Sequence, residues 1–326
     1  MRVEVRAESW PIAGGFRIAR GARTNAEVLV LELHDGELMG RGECVPYARY
    51  GETTASVEAQ IRSAFDEADA TTAASLTRDL PAGAARNAVD CALWDLEARR
   101  TGRSVSALLV GDSAADAVVT MRTISIDTPA SMANAAKVFP EGTILKVKVD
   151  GTDCLERLRA VHEAVPSAQL VVDANESWSR AQLEQWLPSL PELGVVVLEQ
   201  PLAAKADKPL HSLRGVVPFC ADESFHDRGS FDAIGDRYDM VNLKLDKAGG
   251  LTEAWAALKE AGERGFQTMV GCMVSTSLAV APALVLASHA DFVDLDGPLL
   301  LERDRPGTRH DASRSLLRAS SEIWGG

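Results

Sequence analysis

LVVD at 170–173, VVVLE at 195–199 and PFCAD at 218–222 are three short apolar runs, each closed by a single acid. Asp173 and Glu199 lie 26 residues apart, and Glu199 and Asp222 lie 23 apart. Apolar runs of this length read as parallel strands buried on both faces. The intervals leave room for one helix per strand, and repeated strand–helix units bring every strand's C-terminal end to one face, where sites are built. Lysines frame the acids, with Lys146 and Lys148 in TILKVK (143–148) before them and Lys244 ending MVNLK (240–244) after them. Three carboxylates and three ammonium groups thus gather in one place, a metal site flanked by candidate bases.

Outward from this block the same rhythm runs from about residue 117. Candidate strands are VVTMRTISI, TILKVKV, QLVVDAN, VVVLEQ, PFCADES, DMVNLKL, QTMVGCM and DFVDLDG. Amphipathic helices separate most of them: PASMANAAKVF, DCLERLRAVHEAV, SRAQLEQWLPSL and TEAWAALKEAGERG, with a weaker SFDAIGD. Eight parallel strands with intervening helices predict a compact α/β barrel. An open doubly wound sheet is the alternative, but no GxGxxG or GxxxxGK[ST] loop supports it. The N-terminal part differs. MRVEVRAESWPI and AEVLVLELHDGELMGRGECV alternate as strands around an HDGE turn, and helices follow over ASVEAQIRSAFDEADA and AARNAVDCALWDLEARRTG, the latter stopping at Gly102. The predicted division is an α+β module over 1–115, closed by a linker-like GDSAAD, a barrel over 116–300, and a polar segment over 301–326 that packs back on the first module.

The 326 residues suit a barrel with an added module, and 46% hydrophobic with 25% charged residues is ordinary for a soluble globular chain. A formal net charge of −13 argues against nucleic-acid or anionic-membrane partners, which need a basic face. MRVEVRAESWPIAGG lacks the apolar core of a signal peptide, and no stretch is long enough to span a bilayer. Cys44, Cys91, Cys154, Cys220 and Cys272 are odd in number and dispersed, which fits reduced thiols in the cytoplasm.

In a strand, residues i and i+2 point the same way. Lys146 therefore projects with Lys148, Asp173 with Asn175, Asn242 with Lys244, and Asp294 with Asp296. Buried charges are rare without partners, so four strands ending in inward charges are read as a site rather than as isolated ion pairs. Three carboxylates with no accompanying His or Cys favour a hard octahedral cation, Mg2+, over zinc. Burial and a neighbouring ammonium would depress a lysine's pKa and make it a base at neutral pH. Two lysines on opposite sides of a bound carbon could take a proton from one face and return it on the other, an epimerisation or racemisation. The six histidines show no ligand spacing, and Ser275 and Ser277 lack the GxSxG turn of a hydrolase.

The KVK pair, DANESW, EQP, ADES and NLKLDKAGG, in this order and spacing, resemble the enolase superfamily in its muconate-lactonizing-enzyme subgroup. The resemblance spans nearly the whole chain and implies a modified (β/α)7β barrel under an α+β capping domain. It implies metal ligation by Asp173, Glu199 and Asp222, acid/base roles for Lys148 and Lys244, and a place for Lys146 beside the substrate carboxylate. It also implies enediolate chemistry on the metal. No His occurs in QTMVGCMVSTS, where histidine-base members carry one.

Within the subgroup the chain is most similar to dipeptide epimerases, above all the L-Ala-D/L-Glu epimerase family. DLDGPLLL (294–301) carries a DxD motif, and the resemblance assigns Asp294 and Asp296 to the dipeptide's ammonium. FRIARGARTNAEVLVLEL (16–33) and GECVPYARYGET (42–53) resemble the family's two specificity loops, and Arg23 matches the arginine that meets a glutamyl carboxylate. Ile18 and Tyr50 are further candidates for that pocket. The expected partner is a small dipeptide, in a step that fits salvage of cell-wall peptides. Barrels of this type are often multimers, so a homo-oligomer is an open expectation. The same machinery also serves epimerisation of other dipeptides, o-succinylbenzoate synthesis, N-acylamino acid racemisation and muconate cycloisomerisation. From a different class, a non-catalytic metal-binding barrel would keep the fold without needing two opposed bases.

Overall fold

In the computed structural model, which describes residues 1–66, 76–77, 79–111 and 117–325, the N-terminal part is a three-stranded antiparallel sheet covered by helices. Its strands are β1 (Arg2–Ile18), β2 (Gly21–Asp35) and β3 (Leu38–Cys44). The helices are α1 (Thr54–Asp66), α2 (Ala84–Thr101) and α3 (Val105–Leu109). Leu29, Leu31 and Leu33 of β2 bury one face against Ala88, Ala92 and Leu96 of α2, while Val28 and Val30 face the barrel's core. Alternation in VLVLEL thus places the sheet between a helix and the second domain. Two glycines of β3 set how closely α2 approaches. A Cβ on Gly40 would lie 2.2 Å from the Ala92 carbonyl oxygen, and one on Gly42 2.1 Å from that of Ala88.

The stretch FRIARGARTN, anticipated as a loop, is instead the tip of the β1–β2 hairpin. Pairing runs from Arg2↔His34 to Pro11↔Asn25, breaks, and resumes at Phe16↔Arg23. Gly14 and Gly15, both at positive φ, absorb the break. Most of GDSAAD and the end of the first predicted helix lie outside the described residues.

The barrel strands are β5 (Arg122–Ile124), β6 (Leu145–Lys148), β7 (Leu170–Asp173), β8 (Val195–Glu199), β9 (Phe219–Ala221), β10 (Met240–Lys244), β11 (Gln267–Gly271) and β12 (Phe292–Asp294), preceded by β4 (Ala117–Val119). β5 to β12 pair in chain order as one parallel sheet, and Met121 N donates to Val293 O at 2.9 Å across the remaining gap. The fold is therefore a nearly closed eight-stranded α/β barrel with an antiparallel-sheet cap. The crossovers carry α4 (Pro129–Ala136), α5 (Cys154–Ala164), α6 (Arg180–Trp186), α7 (Phe231–Ile234), α8 (Leu245–Ala248), α9 (Leu251–Glu263) and α10 (Ser277–Ala287). No helix among the described residues is long and apolar enough to cross a membrane.

Four details depart from expectation. VVTMRTISI is split, because β4 leaves the barrel and pairs with β13 (Leu316–Arg318). The β8–β9 crossover holds only a 3-10 turn, Lys208–Leu213, with Pro209 at its start, so the interval from Glu199 to Asp222 contains no α-helix. Helix α10 was not anticipated: SLAVAPALVLA is apolar all round and gives no amphipathic signal. It is buried because it sits between β11 and β3 of the cap. Leu245 begins α8 rather than extending β10. Beyond Leu300 the chain returns to the cap: Trp324 Nε1 donates to Cys91 O at 3.0 Å, and Gly325 N to Asp95 Oδ1 at 2.8 Å.

Period-two alternation decides what faces the barrel axis. Val171, Val197, Cys220, Met240 and Met269 form an inward apolar layer, whereas Leu145, Val147, Leu170, Val172, Phe219 and Val241 belong to the core between sheet and helices. Two residues beyond the inward layer come Asp173, Glu199, Asp222 and Asn242, with Lys244 two further on. The apolar layer is the floor on which the charged residues stand.

Candidate active site

Asp173, Glu199 and Asp222 close three adjacent strands, and one oxygen from each lies within 4.8 Å of the others, with all three residues buried. Lys146 Nζ reaches Asp294 Oδ2 at 2.6 Å, Glu199 Oε2 at 2.7 Å and Asp173 Oδ2 at 3.4 Å. Lys148 Nζ meets Asp173 Oδ2 at 2.5 Å, and Lys244 Nζ meets Asp222 Oδ2 at 2.8 Å. Lys148 ends β6 and Lys244 ends β10, four strands on in a barrel of eight, so the two amines face each other across the axis. Opposite Lys244 in the β10–β11 pairing is Gly271, where a Cβ would lie 2.4 Å from Asn242 Oδ1. Asn242 Nδ2 in turn donates to Glu199 Oε1 at 2.8 Å.

The electrostatics correct one expectation. Burial favours neutral amines at Lys146 and Lys244, but the surrounding acids, Asp294 and Glu199 for the first and Asp222 for the second, outweigh it and raise both pKa values. The depressed lysine pKa anticipated from burial and the neighbouring ammonium is reversed at these two positions, because each amine touches a carboxylate. A cation among the carboxylates would offset that attraction. The donor set fits such an ion: three buried carboxylates, no thiolate or imidazole, and a spacing one small hard cation can bridge. Glu4, Glu32 and His34 on the cap sheet also converge, but Glu4 is exposed, and Arg2 and Arg6 pair with the two acids.

Above the carboxylates lies a cavity of about 400 Å³ whose floor includes Lys146, Lys148, Lys244, Asp294 and Asp296, and whose roof includes Ile18, Arg23 and Tyr50 from the cap. Asp296 accepts from Thr123 N at 2.6 Å and Thr123 Oγ1 at 3.1 Å; burial and the adjacent Asp294 push its pKa up to about 6. The cap is held by ion pairs at the rim. Arg20 Nη1 binds Glu223 Oε1 at 2.6 Å, and Arg49 binds both oxygens of Glu176, at 2.6 and 2.7 Å. Tyr50 stacks edge-on against His226, ring centroids 4.6 Å apart. Of the three arginines lining the cavity, Arg20 and Arg49 are thus committed to acids. Arg23 has no acid partner among the described residues, and its guanidinium lies 5.2 Å from the Tyr47 ring centre.

Every residue given a role from the sequence lines this cavity except Asp173 and Glu199, which are buried and reach it through Lys146. Sequence reasoning missed Arg20, Arg49 and Glu223, which tie cap to barrel, and Lys247, which lies behind Asp222. The Lys247 signal was present in NLKLDKAGG: three residues past Lys244, once α8 is recognised, is one helical turn.

A barrel with three strand-end carboxylates and opposed lysines defines an enolase-type enzyme, and family models agree. Residues 130–304 match the enolase C-terminal domain-like family, and residues 1–110 match the mandelate racemase/muconate lactonizing enzyme N-terminal domain. The chain belongs to the mandelate racemase/muconate lactonizing enzyme family of the enolase superfamily, and it is an isomerase of the epimerase and racemase type. It is 48% identical to an L-Ala-D/L-Glu epimerase of Escherichia coli (strain K12) over 305 residues, covering 93% of this chain and 95% of that protein. It is 42% identical to an N-acetyl-D-glutamate racemase of Pseudoalteromonas sp. over 302 residues, covering 92% and 95%. Among solved structures, an enolase family member from Agrobacterium tumefaciens with homology to dipeptide epimerases, holding sodium and L-Ala-L-Glu with an ordered loop, superposes with a TM-score of 0.95 at 43% identity, over 99% of each chain.

Proposed function

We propose that this protein is a Mg2+-dependent dipeptide epimerase that interconverts L-Ala-L-Glu and L-Ala-D-Glu by 1,1-proton transfer. The observation that carries the reading is the pair of amines, Lys148 and Lys244, facing each other across the cavity above the carboxylate trio. One lysine takes the α-proton of the C-terminal residue, and the other returns a proton to the opposite face. Asp173, Glu199 and Asp222 would hold Mg2+, which supplies stabilisation of the negative charge that develops on the substrate carboxylate as the proton leaves. Lys146 provides a fixed positive charge beside that carboxylate. Asp294 and Asp296 receive the dipeptide's ammonium, a charge that would relieve their mutual repulsion. Arg23, the cavity arginine without an acid partner among the described residues, reads the glutamyl side chain.

The proposed division of labour follows the sequence: residues 1–115 cap the site, 116–300 carry the catalytic barrel, and 301–326 tie the two together. The expected setting is the cytoplasm. The test is a mass-spectrometric screen of L-Ala-L-Xaa dipeptides in deuterated water with Mg2+. Preferential label uptake at the C-terminal α-carbon of L-Ala-L-Glu supports the reading. Uptake confined to hydrophobic or cationic dipeptides refutes the substrate, and no uptake from any dipeptide refutes dipeptide epimerisation. The similarity to an N-acetyl-D-glutamate racemase favours one second reading, racemisation of an N-acylated glutamate. That substrate has no ammonium for the DxD pair, so N-acetylglutamate in the same screen separates the two.

A further inference from the structure

We propose that Lys247 is a positioning residue that presents Asp222 to the cation through one oxygen only. The inference rests on the metal reading above. Lys247 Nζ is fully buried and contacts three acceptors: Asp222 O and Oδ1, both at 2.6 Å, and Asn242 O at 3.0 Å. An ammonium has three N–H donors, and here each has an acceptor. All three of its hydrogen-bond partners among the described residues are therefore oxygens.

Lys146, Lys148 and Lys244 line the cavity; Lys247 is absent from the described lining and approaches Asp222 from behind. Its contact engages Oδ1 from behind and leaves Oδ2, which meets Lys244 at 2.8 Å, directed to the cavity side. An oxygen already engaged by a buried ammonium is the poorer donor to a cation, so the contact orients the carboxylate to bind through its other oxygen. The contact to Asn242 O joins the ends of β9 and β10, and the Asn242 side chain carries the same restraint to Glu199. One buried amine thus fixes a first carboxylate directly and a second through an amide.

The experiment uses the full-length, metal-free chain and Mn2+ as the probe, with binding followed by calorimetry and electron paramagnetic resonance. The apo melting temperature serves as the fold control. Lys247→Gln is expected to weaken Mn2+ binding about 10- to 100-fold, and Lys247→Arg, which keeps the charge and a donor toward Oδ1, to recover part of the loss. The sign is diagnostic. Removing a positive charge beside a cation would by itself tighten binding, so tighter or unchanged affinity in a folded Lys247→Gln protein overturns the proposal. Should that variant fail to fold, a Mn2+-loaded wild-type crystal structure decides: the ion on Oδ2 with Lys247 still on Oδ1 supports it, and an ion on Oδ1 or on both oxygens overturns it. Failure of the wild type itself to bind Mn2+ would instead refute the metal reading.

Discussion

If Arg23 reads a glutamyl side chain as proposed, Arg23→Met should leave a site indifferent to side-chain charge. The structure separates Arg23 from its neighbours, because Arg20 and Arg49 are already paired with Glu223 and Glu176. A hydrogen bond to a charged group contributes about 1.5–3 kcal/mol. Arg23 is exposed at the rim, and solvent screening places its contact with a substrate carboxylate at the lower end, about 1.5–2 kcal/mol. That corresponds to a loss of about 10- to 30-fold in kcat/KM for L-Ala-L-Glu. With L-Ala-L-Met, which has nothing for the guanidinium to bind, kcat/KM should change by less than about threefold, since only the contact with Tyr47 is lost. The assay is α-deuterium incorporation with both substrates side by side. Arg20→Met is the control: it leaves the buried Glu223 carboxylate without its counter-ion and should harm both substrates alike. If Arg23→Met lowers both equally, Arg23 anchors the hairpin tip rather than reading substrate. If it lowers neither, the side-chain carboxylate is read elsewhere.

Replacing either Lys148 or Lys244 by Ala should reduce epimerisation at least about 10²-fold, while each variant retains solvent exchange from at most one enantiomer; proton NMR in deuterated water with each pure diastereomer distinguishes this from general loss of the site. Gly42→Ala drives a Cβ to 2.1 Å from the Ala88 carbonyl and should destabilise the cap by about 1–3 kcal/mol, read as a lowered denaturation midpoint; an unchanged midpoint would mean α2 can slide on β3. Asp246 accepts from Val45 N at 3.0 Å and Asn87 Nδ2 at 2.8 Å, and burial raises its pKa from 3.8 to about 7. The folded state therefore holds a proton that the unfolded chain releases, so its contribution to stability is greatest below about pH 4 and declines as pH rises to about 7. Asp246→Asn should flatten the fall in stability over that window in urea titrations, and an unaltered slope would assign the proton elsewhere.

The barrel and its charged mouth were legible because the signals are local. Period-two alternation in LKVK, LVVD and MVNLK assigns each side chain to the axis or to the helices, and the cost of burying charge makes inward Lys146, Lys148, Asp173 and Lys244 a site wherever they meet. Helix α10 was illegible for the opposite reason: it is covered on all sides, so SLAVAPALVLA has no polar stripe to betray its period. Arg17, Arg20 and Arg23 stand within seven residues of one another and look alike in sequence. Only the closed structure commits Arg20 to Glu223, 203 positions away, and leaves Arg23 over the cavity. The same holds for Lys244 and Lys247, one turn apart, one facing the cavity and the other the back of Asp222. Residue type and spacing decide which groups can bear charge at a strand's end. Which partner each charge finds depends on segments that meet only when the cap docks, and pairing energies between distant segments leave no periodic trace along the chain.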